Sequence, residues 1–365
     1  MDRPQIYGWD VSPYTEKTFA YLKYKQLDPK RVYPTLLQLK FKIQKDVGQI
    51  IMPVVYDRSD ILQDSSAIID HYEALYPSKS VTPEAPLHKI SSLILELLGD
   101  DWLVLAALHF RWNYPENHRT MYREFGRYSA PSLPKFLQSY IGKKVGGKMK
   151  GYLPALGISQ AMQTPLEINT QQILQALDFH LAQHDFILGT RPCLGDFSLY
   201  GPIYAHLHRG PFPDKLLNPY PHIQKWMRRL SGPCHLINGH WLNSESLPAT
   251  LLPLFQIWHD NHLPLIKASI ESFNNWCAAN PEASLVPRHF GKTELEIDGV
   301  KSIRVNQSYV LWMWQRLQHT YQALNEIEQD HVHTLLNQID ILKLVQTPLA
   351  KPLVLKHSRL HIAAC

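Results

Sequence analysis

Cysteine is scarce in this chain of 365 residues, and the four present, Cys193, Cys234, Cys277 and Cys365, lie far apart. With no CxxC pair and no ligand-spaced Cys/His set, neither a disulfide framework nor a metal site is expected. Long apolar runs are missing too. The richest stretch, residues 93–110, is interrupted by Glu96, Asp100 and Asp101. It falls short of the roughly 20 apolar residues a membrane span needs, so no membrane partner is expected. The first ten residues, MDRPQIYGWD, lack a signal peptide's apolar stretch, and the expectation is a cytoplasmic, reduced protein. No P-loop pattern, internal repeat or low-complexity tract is found. Net charge is only +5, too weak a bias to read as nucleic-acid binding.

What is there is material for two or three domains, with 45% hydrophobic and 19% charged residues. The first 80 residues read as mixed α/β. Strands are expected at 5–9, 32–36, 50–56 and 61–62. A helix at 16–25 carries Phe19, Ala20 and Leu22 against Lys17, Lys23 and Lys25. A second helix spans 67–75, with Ser65 or Ser66 as its cap. The order is β-α-β, then ββα.

From about residue 86 the pattern turns helical, with candidates at 86–110, 132–140, 165–184, 195–208, 222–230, 248–279 and 308–337. Thr164-Pro165-Leu166-Glu167 offers a cap with a first-turn proline. Residues 142–151, rich in Lys and Gly, read as a flexible loop. Residues 293–305 alternate apolar and polar around Asp298-Gly299, the signal of a hairpin with a type I′ turn. The expected domains are 1–80, 86–235, a helical extension 236–345 holding the hairpin, and a basic tail 346–365.

Three short segments can carry chemistry. Ser12-Pro13-Tyr14-Thr15 falls between a strand and a helix, where exposed N–H groups and the helix dipole favour negative charge. A serine hydroxyl there either caps the helix or donates to a bound thiolate. Met52-Pro53-Val54 places a proline in an apolar strand. If that bond is cis, the Met52 backbone can pair with an extended peptide-like ligand. Gln63-Asp64-Ser65-Ser66 brings a carboxylate and hydroxyls to another helix start, as caps or as a grip on an ammonium and a carboxylate.

In order and spacing, SPYTEKTFAYLKYK, MPVV and LQDSSAIIDHY resemble the N-terminal domain of the cytosolic glutathione transferases. FILGTRPCLGDFSLYGPIYAHL is similar to that family's C-terminal turn, capping box and buried helix, with Cys193 where Ser or Thr is usual and Asp196 kept. The resemblance implies a thioredoxin-like domain followed by an all-α domain, glutathione as co-substrate, and commonly a homodimer. It gives Ser12 the sulfur-facing position, with Tyr7 as rival. It assigns Met52 and Pro53 to the cysteinyl part of glutathione, Asp64 and Ser65 to the γ-glutamyl group, and Gln49 to a further contact. Trp9, Tyr14 and His109 are candidates for the acceptor pocket. The implied activity is transfer of the glutathione thiolate to an electrophilic, largely apolar substrate. The alternatives are a non-catalytic binding or scaffold protein, or a glutathione-dependent lyase or isomerase.

Overall fold

A computed structural model describes residues 3–209, 212, 216–243 and 246–363, so Cys365 lies outside the described residues. The chain divides into two compact units that interleave along the sequence. The first comprises residues 1–81, 103–153 and 197–238; the second comprises 82–102, 154–196 and 239–365.

The first unit holds a four-stranded mixed sheet, β1 (Gln5–Tyr7), β2 (Lys30–Val32), β3 (Val54–Asp57) and β4 (Asp60–Gln63), in the order β2-β1-β3-β4. β1 runs parallel to β2 and antiparallel to β3, and β4 turns back on β3. Ile6 is opposite Val55, and both are fully buried, as is Val54. Helix α1 (Pro13–Tyr24) and the helix Ser65–Leu75 pack on each other, joined by a buried hydrogen bond from Lys17 Nζ to Ser66 Oγ at 3.1 Å. This is the thioredoxin-like β-α-β, ββα order.

Three local expectations here need correction. The second strand lies at Lys30–Val32, because a Thr35 capping box starts a helical stretch that runs to Val47. Met52-Pro53 precedes the third strand and is not part of it. The cap of Ser65–Leu75 is Asp64, whose Oδ1 accepts from the N–H groups of Ser66 and Ala67 at 3.0 Å each.

The rest of this unit is helical. Pro115–Ser129, which the sequence pattern did not reveal, packs closely along Lys135–Lys150. Residues 142–151, expected as a loop, lie mostly within that second helix. The glycines make the contact: a Cβ at Gly142 would stand 1.8 Å from Tyr122 O, and one at Gly126 2.0 Å from Gln138 O. Close backbone approach offsets the poor helix propensity of glycine.

The second unit is helical with two hairpins. His289–Ile297 (β5) pairs with Val300–Gln307 (β6) around Asp298-Gly299, both at positive φ (49° and 73°), as a type I′ turn requires. The expected single helix at 248–279 is two, Leu252–Asn261 and Leu263–Ala279, the second opening on Pro264. The run 308–337 is likewise two helices, the second capped by Asn325 with Glu328. Thr164 is not a cap, since the helix Gln163–Leu181 begins after Met162. Part of the basic tail forms a further hairpin, β7 (Leu353–Lys356) and β8 (Arg359–Ile362). The Gln315 side chain accepts from Leu353 N at 2.7 Å and donates to Leu353 O at 2.8 Å, fixing that hairpin to Tyr309–Gln322.

The motif around Asp196 works as its chemistry suggests. Its buried carboxylate accepts from Cys193 N at 2.8 Å and from Ile187 N at 3.1 Å. The carboxylate serves the backbone that a cysteine caps poorly.

Candidate functional site

Sheet register brings the three candidate segments to one end of the first unit's sheet. Tyr7, the last residue of β1, is opposite Val54, the first of β3. Val54 in turn is opposite Gln63, the last of β4. The loop to Ser12, the Met52-Pro53 bond and Asp64-Ser65 therefore leave the sheet at the same end.

Ser12 caps α1. Its Oγ accepts from Thr15 N at 3.3 Å, and Pro13 stands in the first helical turn. A hydroxyl accepting in this way keeps its own proton for donation. Ser12 is partly exposed. The Met52–Pro53 peptide is cis; Met52 is half-buried and Pro53 buried. Asp64 holds the start of its helix, and Ser65 follows as that helix's buried first residue. Gln49 is half-buried, just after Gly48 closes the stretch ending at Val47.

Tyr7 is half-buried, its ring edge-on to Tyr56 at 4.9 Å, with the Lys42 ammonium 5.7 Å away. Tyr56 donates to Asp46 at 2.6 Å. Tyr7 thus belongs to a packed aromatic and cationic cluster.

Two of the acceptor-pocket candidates lie within the packing. Trp9 is buried, donates from Nε1 to Pro34 O at 2.8 Å, and stacks on Tyr128 at 5.6 Å. His109 is fully buried, with Nδ1 2.9 Å from Asn113 Nδ2 and Tyr114 edge-on. Neither offers surface to a ligand. Tyr14 stays half-exposed on the first turn of α1.

A charged cluster adjoining this loop was not singled out from the sequence. Arg31 pairs with both Asp10 and Glu16, and Arg209 lies 3.7 Å from Asp10. Burial raises the Asp10 carboxyl, but Arg31, Arg209 and the hydroxyl of Tyr128 outweigh it and hold its pKa below the ordinary value. For Glu16, more deeply buried, desolvation wins over Arg31 and the pKa is raised. These groups, with Phe19, Tyr33, Tyr200 and Tyr204, line a cavity of about 310 Å³. Residues 10, 16, 31 and 209 have no spacing that marks them as neighbours; only the fold assembles them. Among the described residues, no group of three or more His, Cys, Asp or Glu could hold a metal ion.

Residues 6–80 match the family model of the glutathione S-transferase N-terminal domain, and residues 145–232 match that of the C-terminal domain. The chain carries both domains of the glutathione S-transferase family. Residues 233–365 lie beyond both matches, as a long C-terminal extension. No curated protein sequence matches the chain. Similar solved structures include the β-etherase LigF of Sphingobium sp. strain SYK-6, 16% identical over 63% of this chain and 96% of that one, with a TM-score of 0.44. A glutathione S-transferase from Rhodospirillum rubrum is 15% identical over 62% and 91%, with a TM-score of 0.39. One from Methylobacterium radiotolerans, in complex with glutathione sulfonate, is 18% identical over 63% and 91%, with a TM-score of 0.40. Among the described residues, no helix of this chain is long and apolar enough to cross a membrane.

Proposed function

We propose that this chain binds glutathione at the end of its N-terminal sheet and transfers the thiolate to an electrophilic substrate. The observation that carries the reading is the register Tyr7–Val54–Gln63, which gathers the Ser12 loop, Met52-Pro53 and Asp64-Ser65 at one place. Met52 pairs with the cysteinyl backbone of the tripeptide, and Asp64 with Ser65 takes the γ-glutamyl end. Gln49 contributes a polar contact from the neighbouring turn.

The Ser12 hydroxyl donates to the glutathione sulfur. The α1 N-terminus adds its dipole, so the thiol ionises at a lower pH. A hydrogen bond to a charged group contributes about 1.5–3 kcal/mol. Tyr7, packed on Tyr56, is the second choice for this role. The acceptor enters the cavity beside Asp10, whose lining mixes the rings of Phe19, Tyr33, Tyr200 and Tyr204 with charged groups, and Tyr14 on the first turn of α1 is a further contact. The protein works as a cytoplasmic enzyme, in the family's common dimeric form.

Calorimetry with glutathione and steady-state turnover of several electrophiles test the reading. Glutathione should bind at millimolar concentration or below. Ser12→Ala should lower the rate about 10- to 100-fold with glutathione binding kept, whereas Tyr7→Phe should change it little. Binding without any turnover would favour a scaffold role, to which the extension beyond residue 232 lends weight. No binding at all would refute the proposal.

A further inference from the structure

The chain's positive charge is concentrated where bulk composition hides it. Between Gly126 and Leu166 there are six cations, Arg127, Lys135, Lys143, Lys144, Lys148 and Lys150, and no acidic residue. That exceeds the +5 net charge of the whole protein. Five of the six lie on the helix Lys135–Lys150. Among the described residues, none of these five lysines is paired with a carboxylate.

The same helix presents apolar side chains outward. Gln138, Gly142 and Gly146 form the stripe that meets Pro115–Ser129 and Trp112. At 100° per residue, Phe136, Leu137 and Tyr140 fall on the other side of the helix, and Leu133 stands two residues before its start. All four are exposed, Phe136 to 72% and Tyr140 to 57%. Lys144 folds over the Tyr140 ring at 4.7 Å, and Lys143 and Lys148 flank the ridge. A convex apolar ridge edged by unpaired lysines matches an interface that is oily at its centre and anionic at its rim. A nucleic-acid backbone would satisfy the lysines and leave Phe136 and Leu137 in water.

We infer that the outer face of Lys135–Lys150 docks on an anionic lipid surface, with Phe136, Leu137 and Tyr140 entering the headgroup region and the lysines meeting lipid charge. The inference is independent of glutathione chemistry. It revises the sequence-based expectation of no membrane partner, through a helix lying on the bilayer and not spanning it.

The test is co-sedimentation of the full-length protein with vesicles of phosphatidylcholine alone, or carrying about 30% phosphatidylserine, at low and high salt. Binding should require the anionic lipid and weaken with salt. Each lysine near such a surface strengthens binding about fivefold, so Lys143→Glu/Lys144→Glu/Lys148→Glu should weaken it by about 100-fold or more. Phe136→Ser/Leu137→Ser should weaken it about tenfold at any salt. Both variants change outward side chains, and an unaltered melting temperature confirms that they fold. Four results would overturn the inference: equal binding to neutral vesicles, no vesicle binding, variants that bind like the parent, or Phe136→Ser/Leu137→Ser dissolving a self-associated form that has no lipid affinity. Retention on a nucleic-acid duplex but not on vesicles would do the same.

Discussion

Acid should destabilise the second unit through one imidazole. His180 is fully buried on the helix Gln163–Leu181. Its Nε2 lies 2.9 Å from Ile187 O, and its Nδ1 lies 2.7 Å from Thr250 Oγ1. A carbonyl only accepts, so Nε2 carries the proton and Nδ1 accepts from the threonine hydroxyl. A second proton on Nδ1 would break that bond and charge a buried ring beside His184, 4.7 Å away. Burial first, and then His184, push the pKa from 6.5 to about 4. Because the folded pKa is depressed, this stabilisation is complete above the unfolded value and is lost as pH falls from about 6.5 toward 4. A drop of 2.5 units, at about 1.4 kcal/mol per unit, is worth about 3.5 kcal/mol in full, most of it within the range down to pH 4.5. Urea unfolding at pH 7.5 and 4.5 should therefore show a wild-type loss exceeding that of His180→Gln by about 2–3 kcal/mol. Carboxylates titrate equally in both proteins and cancel in the difference. If the two proteins lose the same stability over this range, His180 is not held neutral and the reasoning fails.

Removing the Asp196 carboxylate leaves the N–H groups of Cys193 and Ile187 without that partner in a buried setting. Asp196→Ala should cost about 3–4 kcal/mol in urea unfolding and Asp196→Asn about half of that, while a change below 1 kcal/mol would contradict the assignment. Gly142→Ala should cost about 3 kcal/mol, because its Cβ would meet the Tyr122 carbonyl at 1.8 Å. Gly147→Ala on the same helix meets nothing within 4 Å and should stabilise by about 0.5–1 kcal/mol. Thermal melts of the two variants should move in opposite directions.

The readable parts of this chain were those whose signals are local. Short apolar runs marked β1 and β3, alternation marked the hairpin at Asp298-Gly299, and capping chemistry marked the helix starts near Ser12 and Asp64. The tail hairpin was missed because His357 and Ser358 both sit at positive φ, where glycine or asparagine would have signalled the turn. That strand pair is held by Gln315 and by Val286 N donating to Leu360 O at 3.0 Å, partners distant in sequence. The second half of Lys135–Lys150, from residue 142, was missed because its glycines look like loop residues until Tyr122 is placed against them.

The candidate site divides along the same line. The order of the Ser12, Pro53 and Asp64 motifs was legible, since each depends on neighbours a few residues away. That Trp9 and His109 are buried, that Asp10, Glu16, Arg31 and Arg209 share one cluster, and that one exposed helix holds five of the chain's lysines was not. Sequence alone determined which backbone conformations each segment prefers and which motifs follow one another, because propensity and capping act within a turn or two. Tertiary structure alone decided which polar groups lose water and which charges meet, because desolvation and Coulomb energy depend on distance in space, whatever the separation along the chain.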